Sequence, residues 1–253
     1  FFFPADQAIR APLWSRGLGD VYKRQVPAFI DINNDGSLDF FAGQDYTTET
    51  VPTQGRIFYF ENEGLDESTY TLEDSEFLGS DVGLSLSPEF IDIDNDSDYD
   101  LFIGEYNGKI KFYRNDGNSL TPSYSYIGYL NDIDLGFFSI PEFCDIDNDQ
   151  DYDLFIGNYN GEIYFYENIG DNQTYNFIES TFNINMDLDL SRSAPRFIDL
   201  DKDNDFDLIV GSSESGINIY WNIGDQDQAQ FIIDDCIETV SYTHLTLPTN
   251  REV

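Results

Sequence analysis

The chain has 253 residues and a formal net charge of −37, with 49 acidic residues against 12 basic ones. Such a negative balance argues against nucleic acid and anionic membranes as partners, because both repel a negative surface. No stretch of residues 26–238 approaches the roughly 18 consecutive apolar residues of a membrane-spanning helix, so we expect no direct membrane insertion in this part of the chain.

The two ends of the chain differ in composition from the part between them. Residues 1–25 and 240–253 hold 5 of the 12 basic residues and the single histidine, His244. The segment SRGLGDVYKRQ (15–25) resembles an in-frame translation of a sequencing-library adapter, and VSYTHLTLPT (240–249) resembles its reverse complement. We therefore expect both flanks to be artefacts, the natural protein to be longer, and the repeats to occupy residues 26–239.

One acidic motif occurs four times along the chain. It reads DINNDGSLDFFAG, DIDNDSDYDLFIG, DIDNDQDYDLFIG and DLDKDNDFDLIVG, and its first acids lie 61, 53 and 54 residues apart. Each copy follows a Pro-x-Phe segment and precedes an aromatic-rich strand that ends in Asn-x-x-Gly or Asn-x-Gly. A period of about 50 residues with several short strands per unit indicates a propeller or another repeat array.

The second repeat illustrates the strands that we predict within one unit. We expect strands over 88–93, 99–103 and 109–113, and a weaker fourth strand over 123–130. Asn107-Gly108, like Asn160-Gly161 in the third repeat, predicts a two-residue hairpin turn in which both residues have positive φ. We therefore predict an all-β fold, a β-propeller of four-stranded antiparallel blades, with about four blades present as an incomplete propeller.

The acidic motif predicts a bound cation. Two carboxylates about 4 Å apart repel each other by roughly 4 kcal/mol at an effective dielectric constant of about 20. Asp occupies every second position from Asp92 to Asp100, and no Lys or Arg falls between Asp92 and Gly104. A bound metal would neutralise this charge, and a flexible loop with only oxygen ligands favours calcium over magnesium. A solvated acidic turn is the alternative, and four copies of the motif weaken it.

The combined pattern Pro-x-Phe-x-Asp-x-Asp-x-Asp-x-x-x-Asp resembles the FG-GAP/VCBS-type repeats of integrin-α-like β-propellers, in particular those of bacterial secreted proteins. The resemblance covers all four units, although the Phe-Gly dipeptide that names the family is missing before each Pro. It implies that the loop between the first two strands of each blade binds calcium through oxygens at positions 1, 3, 5 and 9 and a backbone carbonyl at position 7.

Carried onto this chain, the resemblance predicts about four structural calcium ions. The predicted ligands are Asp31, Asn33, Asp35, Ser37 and Asp39; Asp92, Asp94, Asp96, Asp98 and Asp100; Asp145, Asp147, Asp149, Asp151 and Asp153; and Asp199, Asp201, Asp203, Asp205 and Asp207. The first loop carries less charge, because Asn33 and Ser37 stand where the other loops have Asp, so we expect it to bind calcium more weakly.

Two other calcium-binding motifs do not fit. An EF-hand loop needs Glu at position 12, where the four motifs have Ala42, Ile103, Ile156 and Val210. A nonapeptide calcium β-roll needs a much shorter Gly-rich period.

These features predict a calcium-binding module outside the cell. Loops that depend on micromolar to millimolar calcium suit a secreted or surface-exposed protein. We expect adhesion or ligand binding, with a protein or a glycan as the ligand, and no catalytic residues. The alternative is the propeller part of a secreted polysaccharide-degrading enzyme using paired carboxylates, but residues 26–239 contain no His to act as a base. A purely structural spacer is not distinguished from a binding module by the sequence.

Four further features of the sequence lead to separate predictions. Cys144 occupies the position of an Ile in the other repeats, so we predict a small buried apolar side chain; a disulfide with Cys236 is the alternative. Aromatic residues of the third strands are predicted to form the core between blades, with Trp221 as the residue to test as an exposed ligand platform. The insertion 44–54 enlarges one hairpin, as a neutral or a functional loop.

Overall fold

The computed structural model describes residues 26–43, 55–64, 70–79, 82–130, 133–171, 173–181, 192–213, 216–225 and 228–233. These residues contain sixteen β-strands and no helix, so no described segment is a helix capable of crossing a membrane. The predictions for the two flanks, for the insertion 44–54 and for Cys236 lie outside the described residues.

The strands form four antiparallel sheets, each made of four strands that are consecutive in the chain. Blade 1 comprises β1 (Val26–Ile30), β2 (Asp39–Gly43), β3 (Ile57–Asn62) and β4 (Tyr70–Asp74). Blade 2 comprises β5 (Ser87–Ile91), β6 (Asp100–Gly104), β7 (Ile110–Asn115) and β8 (Tyr124–Tyr129). Blade 3 comprises β9 (Ile140–Cys144), β10 (Asp153–Gly157), β11 (Ile163–Asn168) and β12 (Phe177–Ser180). Blade 4 comprises β13 (Ala194–Ile198), β14 (Asp207–Ser212), β15 (Gly216–Asn222) and β16 (Phe231–Ile233). The predicted four-bladed β-propeller is confirmed.

The second strand of each blade has apolar residues on both faces, as suits a strand that packs against a neighbouring blade on each side. Successive side chains of a strand point to opposite faces. We call the face of Phe41, Phe102, Phe155 and Ile209 the forward face, and the face of Phe40, Leu101, Leu154 and Leu208 the rear face. All residues of β6 and β10 are buried, as expected for a strand covered on both faces.

The forward face of each blade packs on the rear face of the next. Three aromatic pairs repeat this contact, with ring centroids 4.6 Å apart for Phe41 and Phe90, 4.7 Å for Phe102 and Phe143, and 4.4 Å for Phe155 and Phe197. Around them, apolar side chains of two neighbouring blades form shared clusters. The third-strand aromatics Tyr59, Phe112 and Phe165 belong to these shared clusters, as predicted.

The glycine that ends each of the second and third acidic motifs is required by this packing. A Cβ atom on Gly104 would lie 2.0 Å from the carbonyl oxygen of Ser139, and one on Gly157 would lie 2.2 Å from that of Ser193. The chain that enters the next blade therefore passes directly over the end of the second strand, where only glycine leaves enough space.

The hairpin between the second and third strands differs from the prediction. In blade 2, the Glu105 amide donates to the Lys109 carbonyl at 3.0 Å and the Gly108 amide donates to the Glu105 carbonyl at 3.1 Å. The loop thus has three residues, 106–108, and only Gly108 has a positive φ, of 75°. The prediction of a two-residue turn with positive φ at both residues was wrong, because a turn followed by one left-handed glycine also fits an Asn-Gly pair.

The first strands of the blades contact one another in the order β1, β5, β9 and β13. Corresponding positions of three of them form an ion cluster: Arg196 Nη1 lies 3.2 Å from Glu89 Oε2 and also donates to Glu142. Burial raises the pKa of Glu89 to about 7 and also raises the pKa of Glu142. Among the described strands, no contact of comparable extent joins β13 to β1.

Candidate metal sites

Each acidic loop folds around the carboxylate at its first position. Asp92 Oδ1 accepts from the Asp96 amide at 3.1 Å, and its Oδ2 accepts from the Ser97 amide at 3.0 Å. Asp31 and Asp145 bind the amides of positions 5 and 6 in the same way. Asp199 binds those of positions 4 and 6. The first acid therefore closes the loop as well as facing its interior.

Two residues of each loop adopt the left-handed conformation. In the second loop they are Asn95, with φ of 56°, and Ser97, with φ of 75°; the corresponding positions 4 and 6 behave alike in the other loops. Asn tolerates this conformation, whereas Ser and Gln rarely adopt it. The two reversals coil the chain tightly enough for alternate side chains to converge.

The coiled loops bring carboxylates together as predicted for three of the four copies. One oxygen from each of three carboxylates lies within 4.8 Å of the others in three groups: Asp92, Asp94 and Asp96; Asp145, Asp147 and Asp149; and Asp199, Asp201 and Asp207. In the first loop, all of which is described, no such group of three carboxylates forms, and Asn33 occupies position 3.

The carboxylate at position 9 is completely enclosed. Asp100 Oδ1 accepts from the Asn115 amide at 2.7 Å, and Asp153 Oδ1 accepts from the Asn168 amide at 2.8 Å. The second oxygen of each of these two side chains is buried without a hydrogen-bond partner. Burying a charged oxygen without a partner is unfavourable, so these atoms indicate a group that the protein itself does not supply.

At position 7, where only a backbone carbonyl was predicted to face the ion, three of the loops also bury an Asp side chain. The side chains of Asp98, Asp151 and Asp205 are buried, and Oδ1 of both Asp151 and Asp205 lacks a hydrogen-bond partner. Their amides donate to the carboxylate at position 5, for example from Asp98 to Asp96 at 3.1 Å. Position 7 therefore adds a buried negative charge to three of the loops.

The electrostatics of the loops are unfavourable without a cation. Burial and the neighbouring carboxylates raise the pKa of Asp98, Asp151 and Asp205 to about 6 each. Burial most of all raises the pKa of Asp100 to about 7 and that of Asp153 to about 8. Such shifts mean that the charged form is disfavoured in each loop. A divalent cation among the oxygens would restore it.

Four asparagines that support position 9 were not predicted from the sequence. Asn62, Asn115, Asn168 and Asn222 end the third strands, and all four are buried. The backbone amide of each donates to the Asp at position 9, while its Oδ1 accepts from the amide of the Gly two residues later. The recurring Asn-x-Gly marks these asparagines in the sequence, where it indicated only the end of each third strand.

The donor set of these loops fits a hard cation. Every converging group is a carboxylate or amide oxygen, and the loops contain neither His nor Cys. Such oxygen ligands, carried by a short loop, suit calcium and to a lesser degree magnesium, whereas sites for zinc or copper use nitrogen and sulfur.

The fold and the loops together define a class of protein: a β-propeller of repeats in which an acidic loop joins the first two strands of each blade. A family model described as FG-GAP-like repeat matches residues 145–210, from the third acidic loop to β14. With four equivalent blades, the chain fits an FG-GAP/VCBS-type repeat protein, as its motifs predict. A search of curated proteins gives no significant match.

Two other predicted residues have clear positions. Cys144 ends β9 as a buried free thiol, which confirms the predicted small buried side chain. Trp221 lies in β15 and is partly buried rather than fully exposed.

Proposed function

We propose that this protein is a calcium-stabilised propeller module, secreted or displayed at the cell surface, that serves adhesion or ligand binding. The observation that carries the calcium proposal is the pair of buried, unpartnered oxygens of Asp100 and Asp153 beside three converging carboxylates. A calcium ion prefers six to eight oxygen ligands, which such a loop offers together with water.

The ion would have a structural role. In the second loop it would be held by the carboxylates of Asp92, Asp94, Asp96 and Asp100, at the connection between β5 and β6. Because Asp100 also binds the amide of Asn115 at the end of β7, the ion would tie together three strands of one blade. Binding of a metal to such a site contributes directly to the free energy of folding.

The placement outside the cell rests on the same chemistry. Exposed acidic loops of this kind suit the millimolar calcium found in extracellular fluids, whereas sites that work at lower calcium need tighter ligand sets. We propose a binding module rather than an enzyme, because an acidic loop occurs once in every blade, as expected for a structural element of the repeat.

An aromatic cluster on the opposite end of the blades offers a surface for the ligand. Tyr106, Phe137 and Tyr159 are exposed, and Phe138 lies between them, with ring centroids 4.9 Å from Tyr106 and 5.6 Å from Tyr159. The Arg192 guanidinium stacks 5.1 Å from the Tyr159 ring. Exposed aromatic rings and Arg are enriched at binding surfaces, and such rings also pack on the apolar faces of sugars.

The calcium proposal is tested with the full chain after removal of metal. Calorimetric titration should show several calcium ions bound per chain, and calcium should raise the melting temperature. Magnesium at the same concentration serves as the matched control and should have a smaller effect. Identical melting curves with and without calcium would contradict the proposal.

The ligand proposal is tested separately on a glycan array and by binding to extracellular matrix proteins, in the presence of calcium. We expect Tyr159→Ala to lower binding, while the control Leu120→Ala, which changes an exposed side chain elsewhere in blade 2, leaves it unchanged. Binding that survives Tyr159→Ala and Tyr106→Ala in a folded chain would exclude this surface.

A further inference from the structure

The asparagine that ends the third strand also holds the beginning of the outer strand in blades 2, 3 and 4. In blade 2, Asn115 Oδ1 accepts from the Gly117 amide at 3.0 Å and from the Ser123 amide at 2.8 Å. Because Ser123 directly precedes β8, this one oxygen spans the whole connection between β7 and β8. The second bond recurs in the next two blades, from the Asn176 amide to Asn168 at 2.7 Å and from the Gln230 amide to Asn222 at 2.8 Å.

Two short hydrogen bonds connect the metal loop of blade 2 to the outer strand through this asparagine. The Asn115 amide donates to Asp100 Oδ1 at 2.7 Å, and the Ser123 amide donates to Asn115 Oδ1 at 2.8 Å. A continuous path therefore runs from position 9 of the loop, through the end of β7, to the start of β8. Blade 3 repeats the path from Asp153 to Asn176. In both blades the second oxygen of the Asp is buried without a partner, so it is the atom available to a cation.

The outer strands of these two blades have few other anchors among the described residues. Strand β8 pairs with β7 alone, and none of its six residues is buried. Its first residue, Tyr124, donates its hydroxyl to the Tyr99 carbonyl at 2.8 Å, which is position 8 of the same metal loop. Strand β12 has one buried residue, Phe177. Strands with so few buried contacts open locally at a lower free energy than core strands. The order of β8 and β12 should therefore depend on what holds their first residues.

We infer that the metal loops of blades 2 and 3 control the order of the outer strand of the same blade, with Asn115 and Asn168 as the positioning residues that couple the two. The inference rests on the proposed calcium binding. An Asp100 side chain held through both oxygens fixes the end of β7, and the Asn115 side chain then fixes the start of β8. Such coupling is reciprocal, so breaking the path lowers the affinity for calcium by the factor that calcium would otherwise add to the order of the strand.

Hydrogen–deuterium exchange of the full chain, followed by mass spectrometry with and without millimolar calcium, tests the coupling. We expect calcium to slow exchange at the starts of β8 and β12 by about fivefold or more, the lower end of couplings measured between linked sites. The hairpin 105–109, at the opposite end of blade 2 from its metal loop, serves as the reference and should change little.

Two different failures are distinguishable in this experiment. Calcium that binds and protects the acidic loops, but leaves exchange in β8 and β12 unchanged, would overturn the coupling and leave the proposed calcium binding intact. A chain that binds no calcium in calorimetric titration would remove the proposed function, and the coupling with it.

The substitution Asn115→Ala tests the positioning role, because it keeps the backbone amide that binds Asp100 and removes the oxygen that binds Ser123. We expect β8 to lose its calcium response, β12 to keep its own, and one calcium ion to bind about fivefold more weakly. The matched control Asn118→Ala removes an oxygen that binds two backbone amides within the same connection. It should leave the calcium response of β8 and the calcium affinities unchanged.

The conservative variant Asn115→Asp keeps an acceptor oxygen and should restore the calcium response of β8. A purely structural asparagine would give a different result: in Asn115→Ala, β8 would exchange faster to the same degree with and without calcium, and calcium would bind as tightly as before. Either observation would overturn the positioning role. Circular dichroism shows whether each variant folds; if Asn115→Ala does not, Asn168→Ala with exchange followed in β12 is the second test, and the exchange of the unchanged chain decides in either case.

Discussion

The first and third acidic loops share the same backbone conformation but differ in the number of carboxylates that they carry. Asp31 and Asp145 each bind two loop amides, at 2.8 to 3.1 Å, and both loops place left-handed residues at positions 4 and 6. Yet the third loop has five carboxylates where the first has three, because Asn33 and Ser37 replace two of them.

The surroundings match this difference in charge. In the first loop, the Asn33 amide donates to Glu61 Oε1 at 3.0 Å, and both oxygens of Asp39 accept hydrogen bonds from backbone amides. In the third loop, burial and nearby Asp149, Asp145 and Glu167 raise the pKa of Asp147, and one oxygen of Asp153 is unpartnered. The two loops therefore share a conformation but differ in the number of carboxylates and in whether the buried oxygens of position 9 are all paired.

The largest expected effect concerns pH in the metal-stripped chain. The pKa values of Asp98, Asp100, Asp151, Asp153 and Asp205 are raised in the folded state to between about 6 and about 8. A carboxyl group whose pKa is higher in the folded than in the unfolded state stabilises the folded state fully when the pH is below its unfolded pKa of about 4. This stabilisation is lost as the pH rises through the pKa of the folded state. We expect a higher melting temperature near pH 5 than near pH 8 in metal-free buffer, and calcium should reduce or reverse the difference.

A pair of variants assigns this pH dependence to particular loops. Asp153→Asn should flatten the pH dependence of the metal-free melting temperature and raise its value near pH 8, because the unfavourable charge is removed. Asp39→Asn should change it less, since both oxygens of Asp39 already accept hydrogen bonds. A metal-free chain that becomes more stable from pH 5 to pH 8 would show that the loop carboxylates do not repel one another as inferred.

The sequence was sufficient to predict the blades and the loops because both follow from local repetition. Strand β6 was predicted at 99–103 and is observed at Asp100–Gly104, since alternating or fully apolar residues bounded by turns mark such strands. The convergence of Asp92, Asp94 and Asp96 was predictable from the alternate spacing and the family resemblance.

Features that depend on contacts between distant segments were not predictable in the same way. The support of Asp100 by Asn115 joins residues 15 apart through a backbone amide, which any residue type could supply, so the motif alone does not reveal it. The burial of the Asp98 side chain depends on how the loop lies against its blade. Likewise, the cluster of Arg196 with Glu89 and Glu142 joins three repeats, and only packing around the common axis brings these side chains together.

A smaller effect is expected from removing the first acid of a loop. Asp31→Ala and Asp145→Ala each remove two charge-assisted hydrogen bonds, which should lower the free energy of unfolding by about 2 kcal/mol in metal-free buffer. In calcium, Asp145→Ala should lose about 1 kcal/mol more than Asp31→Ala, because the third loop is expected to bind the ion more tightly. Chemical denaturation with and without calcium measures the free energy of unfolding of each variant under both conditions. Equal losses of this free energy for the two variants in calcium would show that the two loops do not differ in calcium binding.

The smallest expected effect comes from exchanging the residues at position 3. Asn33→Asp gives the first loop a third converging carboxylate but also sets it against Glu61, whose oxygen now accepts from the Asn33 amide. We therefore expect slightly lower stability without metal and about tenfold tighter calcium binding at this loop, equivalent to about 1.4 kcal/mol. Asp147→Asn should have the opposite effects in the third loop, because it relieves repulsion and removes a ligand. Calorimetric titration of both variants against the unchanged chain measures the shifts. If both substitutions left calcium affinity unchanged, carboxylate number would not be what separates the two loops, and the backbone that they share would have to set the affinity instead.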